Sequence, residues 1–421
     1  MSAFINSLHC KVPSAVCPPA GAGEGLRTNV GSLITAGPST IAHYLDAAVA
    51  PRISDRLISR ESLSNIRQIA ALLPGAITDF FGFECELGVS DPTADFLVCC
   101  RASQGAPNVL SGRMPDRDLP ALLVNHPVWQ RVRSFSTEWS NPKSAVADRI
   151  HNIWLEFDVD GLPASIPVPS VFIGPENLQS ANPVIDKSQV PDRCAWLTDS
   201  ALPLLLGGGL PPALKGQIAR CLNLLPPGAR MFQVGLMLSR PSSLTRLCVR
   251  GVSPTQILEY LQALDYDTSS GQLHALLELL SPMVERIDLD MDVSDRILPK
   301  IGLECYLPAD TSAIHRFLDH VVACGLSTPA KAEALESWRG VAHERSNPQI
   351  WPRDLFALSS LLGGRAHSAF ARWLHHVKIV YQPGLPLQAK AYLAVQHLWL
   401  APGQIKDLLN GPQSRASEQG G

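Results

Sequence analysis

Charged residues recur at every second position along several short apolar runs of this chain. The cations are Arg101, Arg246, Arg250, Lys300, Lys378 and Lys390; the carboxylates are Glu84, Glu86, Glu156, Asp158, Asp288, Asp290, Asp292 and Glu304. Tyr306 shares a strand face with Lys300, and Tyr392 with Lys390. Lysines and arginines drawn from different strands suit an anion bearing several charges, such as a diphosphate, because several charge-assisted hydrogen bonds together offset its desolvation. Tyrosine faces beside them can screen a developing carbocation and keep water away. A carboxylate at the far end could take a proton from the attacking nucleophile. Together these groups would suit alkyl transfer from an isoprenyl diphosphate.

Such a set works only if separate segments bring it together. Paired runs with turn residues between them read as β-hairpins. The clearest are Ile287–Val293 with Lys300–Tyr306, Ile153–Val159 with Ser170–Phe172, and His376–Tyr381 with Gln388–Tyr392, the last turning at Pro383-Gly384. Two more span 83–101 and 232–250, and helical stretches separate each pair from the next, so the order helix, strand, strand, helix repeats about five times. The helix at 253–264 opens with Ser253 as cap and Pro254 in its first turn, and helices are also expected at 41–48, 120–139 with a break at Pro127, and 355–374. Ten antiparallel strands in an open sheet would leave two exposed edges, which closure removes. The expected fold is therefore α+β, a ten-stranded antiparallel barrel of five αββα repeats. Its apolar strand faces pack outward on a ring of helices, and its polar faces line a lumen.

Composition sets the limits. Of 421 residues 46% are hydrophobic and 17% charged, enough for a large core and against disorder. A net charge of -3 gives no basic field, so neither nucleic acid nor an anionic membrane surface is an expected partner. No apolar run reaches bilayer length, the start lacks the features of a secretory signal, and the cytoplasm is the expected location. The ten cysteines show no paired C-x-x-C spacing and read as reduced, buried thiols. Residues 1–50 read as an irregular and partly helical lead-in, 51–402 as a single barrel domain, and 403–421 as a disordered tail.

The repeat order over roughly 52–400 resembles the aromatic prenyltransferases of the αββα barrel (PT barrel), of the dimethylallyl tryptophan synthase kind. Lys390-Ala-Tyr392 fits the Lys-x-Tyr pattern of that family, and Glu304-Cys-Tyr306 keeps the tyrosine with an acid before it. The resemblance implies a prenyl diphosphate donor and an aromatic small molecule or peptide as acceptor. It implies Glu84 as general base, with Glu86 as second choice, and Arg101, Arg246, Arg250, Lys300, Lys378 and Lys390 as diphosphate ligands. Tyr306 and Tyr392 would shield the cation, and Trp154 and Phe172 could line an apolar half of the lumen. The chain departs from the pattern in three places, the first being Arg101, which sits further from Glu84 than the family's first-repeat Arg does from its Glu, with Asp95 in the closer position. Ser170-Val-Phe172 stands for Lys-x-Tyr, and Arg246-Leu-Cys248-Val-Arg250 stands for Arg-x-Lys-x-Tyr.

Those losses motivate a competing reading, a barrel without catalysis that binds a peptide or small molecule as an accessory protein of a biosynthetic pathway. Asp288, Asp290 and Asp292 point the same way from one strand and could bind Mg²⁺, or could serve as partners for the lumen cations. No other cofactor is called for. Gly207-Gly-Gly209 lacks the Lys-Ser/Thr of a phosphate loop, and His375-His376 reads as structural.

Overall fold

The computed structural model describes residues 38–159, 166–176, 178–179, 194–240 and 244–404. Most of the expected lead-in and nearly all of the expected tail lie outside the described residues.

Ten strands close into one antiparallel barrel. They are β1 (Phe80–Glu86), β2 (Ala94–Arg101), β3 (Ile150–Phe157), β4 (Ser170–Pro175), β5 (Arg230–Leu236), β6 (Thr245–Arg250), β7 (Arg286–Val293), β8 (Ile297–Tyr306), β10 (His367–Tyr381) and β11 (Gln388–Leu400). Each pairs with its sequence neighbour in the barrel, β8 pairs with β10, and β11 returns to β1 to seal the cylinder. The short β9 (Gly340–His343) adds to the far end of β10 as an eleventh strand. It was not expected. Its run Gly-Val-Ala-His is too short to show alternation.

Apolar alternation sets which face points outward. Leu289, Met291, Ile301, Leu303, Ala391 and Leu393 are sealed from solvent in one continuous core with Ile257, Leu261, Leu273, Leu277, Phe317 and Val321 of the helices. Local chemistry places those helices. Ser253 Oγ accepts from the Gln256 amide at 3.2 Å while Gln256 Oε1 accepts from the Ser253 amide at 2.9 Å, a reciprocal cap ahead of Pro254. Pro127 breaks the expected 120–139 helix into Ala121–Val124 and Pro127–Trp139.

One boundary needs correction. The helix expected over 355–374 ends at Leu361, and β10 begins at His367. Both faces of that first half of β10 are buried, so the run shows no period of two.

Every hairpin turns at the same rim of the barrel, and the helical connections leave from the other. Side chains near the turns and side chains near the connections therefore meet different environments.

Candidate functional site

The lumen holds two adjoining spaces. A cavity of about 410 Å³ faces the rim of the helical connections, and a smaller one of about 70 Å³ lies toward the hairpin turns. Leu97, Glu156, Arg246, Asp290 and Lys378 line both and form the layer between them. Two glycines make room for lining side chains. A Cβ on Gly302 would run into the Lys378 side chain and approach Asp290, and one on Gly235 would meet the ring of Phe172.

The smaller space gathers Lys300, Lys378, Lys390, Arg246 and Arg240. Arg250 lines the larger space, and Arg101 lies elsewhere, beside a third cavity, paired with Asp79 at 2.9 Å. Most of the cations are already partnered. Arg246 is held bidentately by Asp292 (2.8 and 3.1 Å), Arg250 by Asp288 (2.7 Å), Lys378 by Asp290, Lys390 by Glu84 (2.5 Å) and Arg240 by Asp158 (2.8 Å). Lys300 has no ion-pair partner among the described residues. Burial, with Lys390 and Arg246 nearby, lowers its pKa.

The carboxylates differ sharply in proton affinity. Burial would raise the pKa of Glu84, yet Lys390 and Lys378 outweigh it, together with hydrogen bonds from Lys390 and Tyr392, and bring it to about 2. Burial and the neighbouring charge of Glu84 push Glu156 up to about 8, against the pull of Lys378 and Arg246. The same two causes raise Asp95, which accepts from the Val159 amide, to about 7. Glu304 rises to about 8 through burial and Asp290, even though Tyr306 donates to it at 2.9 Å. Glu86 faces Lys390 across the β1–β11 seam and lines neither space.

Aromatic residues define the larger space. Trp154 and Phe172 face each other across β3 and β4, and Trp154 meets Phe80 edge to face at 5.2 Å. Arg250 lies over Phe232 at 4.0 Å and donates to the Tyr306 hydroxyl at 3.2 Å. His376 stacks on Tyr392 at 4.1 Å and approaches Tyr306 at 4.9 Å.

His375 and His376 both line this space, with their Nδ1 atoms 2.8 Å apart. Sequence reasoning left them out of the site. A bulge between Leu374 and His376 breaks the alternation of β10, so two consecutive side chains face the cavity. No sequence signal announces that bulge.

The aspartates of β7 are taken up by cations of the protein itself. Asp288 is bridged by Arg250 and Arg286, Asp290 by Lys378 and Asp292 by Arg246, so each carboxylate faces its own cation. Among the described residues no group of three or more His, Cys, Asp or Glu is arranged to hold a metal ion. No helix of the described residues is long and apolar enough to cross a membrane.

No protein-family model matches the chain, and no match is found among the curated proteins. Among solved structures, similarity is found to the apo form of the prenyltransferase PriB (11% identity, TM-score 0.42). The binary complex of PriB with product diphosphate gives 12% identity and TM-score 0.44. Each covers 87% of this chain and 96% of the other.

Proposed function

We propose that the lumen is the reaction chamber of a transferase that moves an isoprenyl group from its diphosphate to an aromatic or other nucleophilic acceptor, a small molecule or a peptide side chain. The observation that carries this reading is the division of one closed lumen into a cation-rich space and an aromatic space, with Lys378, Arg246 and Glu156 lining both. A prenyl diphosphate has the same two-part character. Its anionic head would engage Lys300, Lys378, Lys390 and Arg246, exchanging with the internal carboxylates, while its hydrocarbon would lie toward Tyr392, Tyr306, Trp154 and Phe172. As the carbon–oxygen bond lengthens, positive charge develops among aromatic faces that exclude water and supply no nucleophile stronger than the acceptor. Arg250 faces the same space from its rim, and Arg101 would act outside it.

The direct experiment offers the purified protein dimethylallyl and geranyl diphosphates with a panel of indoles, phenols and peptides. The expected product is heavier than the acceptor by the prenyl group, with hydrogen lost. Calorimetry that detects no diphosphate binding at any chain length would remove the proposal.

One observation favours a second reading, a barrel that binds a ligand without catalysis. Arg246, Arg250, Lys378 and Lys390 are each neutralised by a carboxylate, which weakens the lumen's attraction for an anion. That reading expects acceptor binding that is indifferent to added diphosphate.

A further inference from the structure

Among the acids that line the smaller space, Glu156 is set apart by having no hydrogen-bond or ion-pair partner within the described residues. Glu84 is held by Lys390 and Tyr392, Asp290 by Lys378, Asp292 by Arg246, Asp158 by Arg240, and Glu304 accepts from Tyr306. Among the described residues no hydrogen bond or ion pair from a side chain reaches the Glu156 carboxyl. It is half-buried on β3, between Leu97 of β2 and Ser170 of β4, and lines both spaces. A carboxyl without partners at the junction of a cationic and an aromatic space can change protonation without breaking an existing contact. Glu84 cannot, because taking a proton would cost it the Lys390 pair.

We propose that Glu156 is the proton acceptor of the transfer reaction and that Glu84 positions Lys390. This rests on the prenyl-transfer reading above. In the step, the donor's carbon–oxygen bond breaks and diphosphate leaves with the electron pair. Acceptor electrons form the new bond to the isoprenyl carbon, and the proton the acceptor then loses passes to a Glu156 oxygen. Burial and Glu84, against Lys378 and Arg246, raise its pKa to about 8, so the carboxyl holds an abstracted proton more firmly than an ordinary glutamate would. His376 Nε2 also lacks a hydrogen-bond partner, but that atom is sealed from solvent and its ring is stacked on Tyr392. Burial and neighbouring His375, Lys378, Arg250 and Arg286 oppose its protonation.

The test measures Glu156→Gln and Glu156→Asp against the unaltered protein. For Glu156→Gln, kcat should fall about 100-fold or more, a loss typical of removing a general base. Its affinity for dimethylallyl diphosphate, read by calorimetry without acceptor, should change by less than about threefold, within the scatter expected where no charge-assisted bond is removed. The rise of kcat with pH, in a window shaped also by Glu84 of β1, Arg246 of β6, Asp290 of β7 and Lys378 of β10, should disappear in Glu156→Gln. Glu156→Asp should keep the rise and recover part of the rate. Transfer by the unaltered protein together with unchanged kcat and pH profile in Glu156→Gln would overturn this inference and leave the proposed function standing. Absence of both diphosphate binding and product in the unaltered protein would overturn the two together.

Discussion

At the scale of single residues, the lumen is a set of mutually dependent charges. Lys378 and Asp290 are both buried, so removing one leaves the other without a counter-charge. Lys378→Met should lower stability by about 3–5 kcal/mol, and adding Asp290→Asn should restore most of it, as read by chemical denaturation. Stability should also follow pH from two sides. The pKa of Glu84 is depressed from 4.5 to about 2, so its contribution, of order 3 kcal/mol, is present above about pH 4.5 and lost as pH falls toward 2. The pKa of Glu156 is raised from 4.5 to about 8, so its contribution is present below about pH 4.5 and lost as pH rises through 8. Thermal unfolding followed across pH should therefore show Tm declining toward alkaline pH, and Glu156→Gln should flatten that decline. Much of this set was legible in the sequence, because alternation alone puts Lys378, Lys390, Glu84 and Glu156 on inward faces. The pairing between strands was not legible. It depends on register, such as Arg246 opposite Asp292, which the sequence of either strand leaves open.

At the scale of elements, hairpins and glycines fix the shape of the site. Gly82 sits at the seam where β1 meets β11, and a Cβ there would collide with the carbonyl oxygen of Leu393. Backbone at a closed seam has little room to yield, so Gly82→Ala should cost about 1–3 kcal/mol or more and loosen the β1–β11 pairing. Hydrogen exchange of the amides in 80–86 and 390–396 would report that loosening, and unchanged protection would count against it. The same scale explains what the sequence concealed. Five hairpins can be read from period-two runs, whereas the first half of β10 is buried on both faces and mixes polar with apolar residues on each, so it reads as helix, and the bulge behind His375 and His376 leaves no mark.

At the scale of the whole molecule, closure joins all ten barrel strands to one continuous core with the surrounding helices. A structure with one core and no free barrel edge should melt in a single calorimetric transition. A chain ended at Pro386 would lack β11, leaving β1 and β10 as unsatisfied edges. It should fail to develop near-ultraviolet circular dichroism, and a cooperatively folded truncated chain would show that the seam is dispensable. The barrel was legible because five similar hairpins have few other ways to cover their edges. The division of its interior was not, since it arises from where each inward side chain falls along the axis.

The ion pairs of the smaller space also bear on selectivity. A lumen that brings its own counterions gives little foothold to chloride or other singly charged solutes, since each would have to displace a tethered carboxylate that never diffuses away. An intruder with several charges on neighbouring atoms can loosen several of these pairs at once, so the protein's own acids act as a threshold that rises against simple salts and falls for dense polyanions.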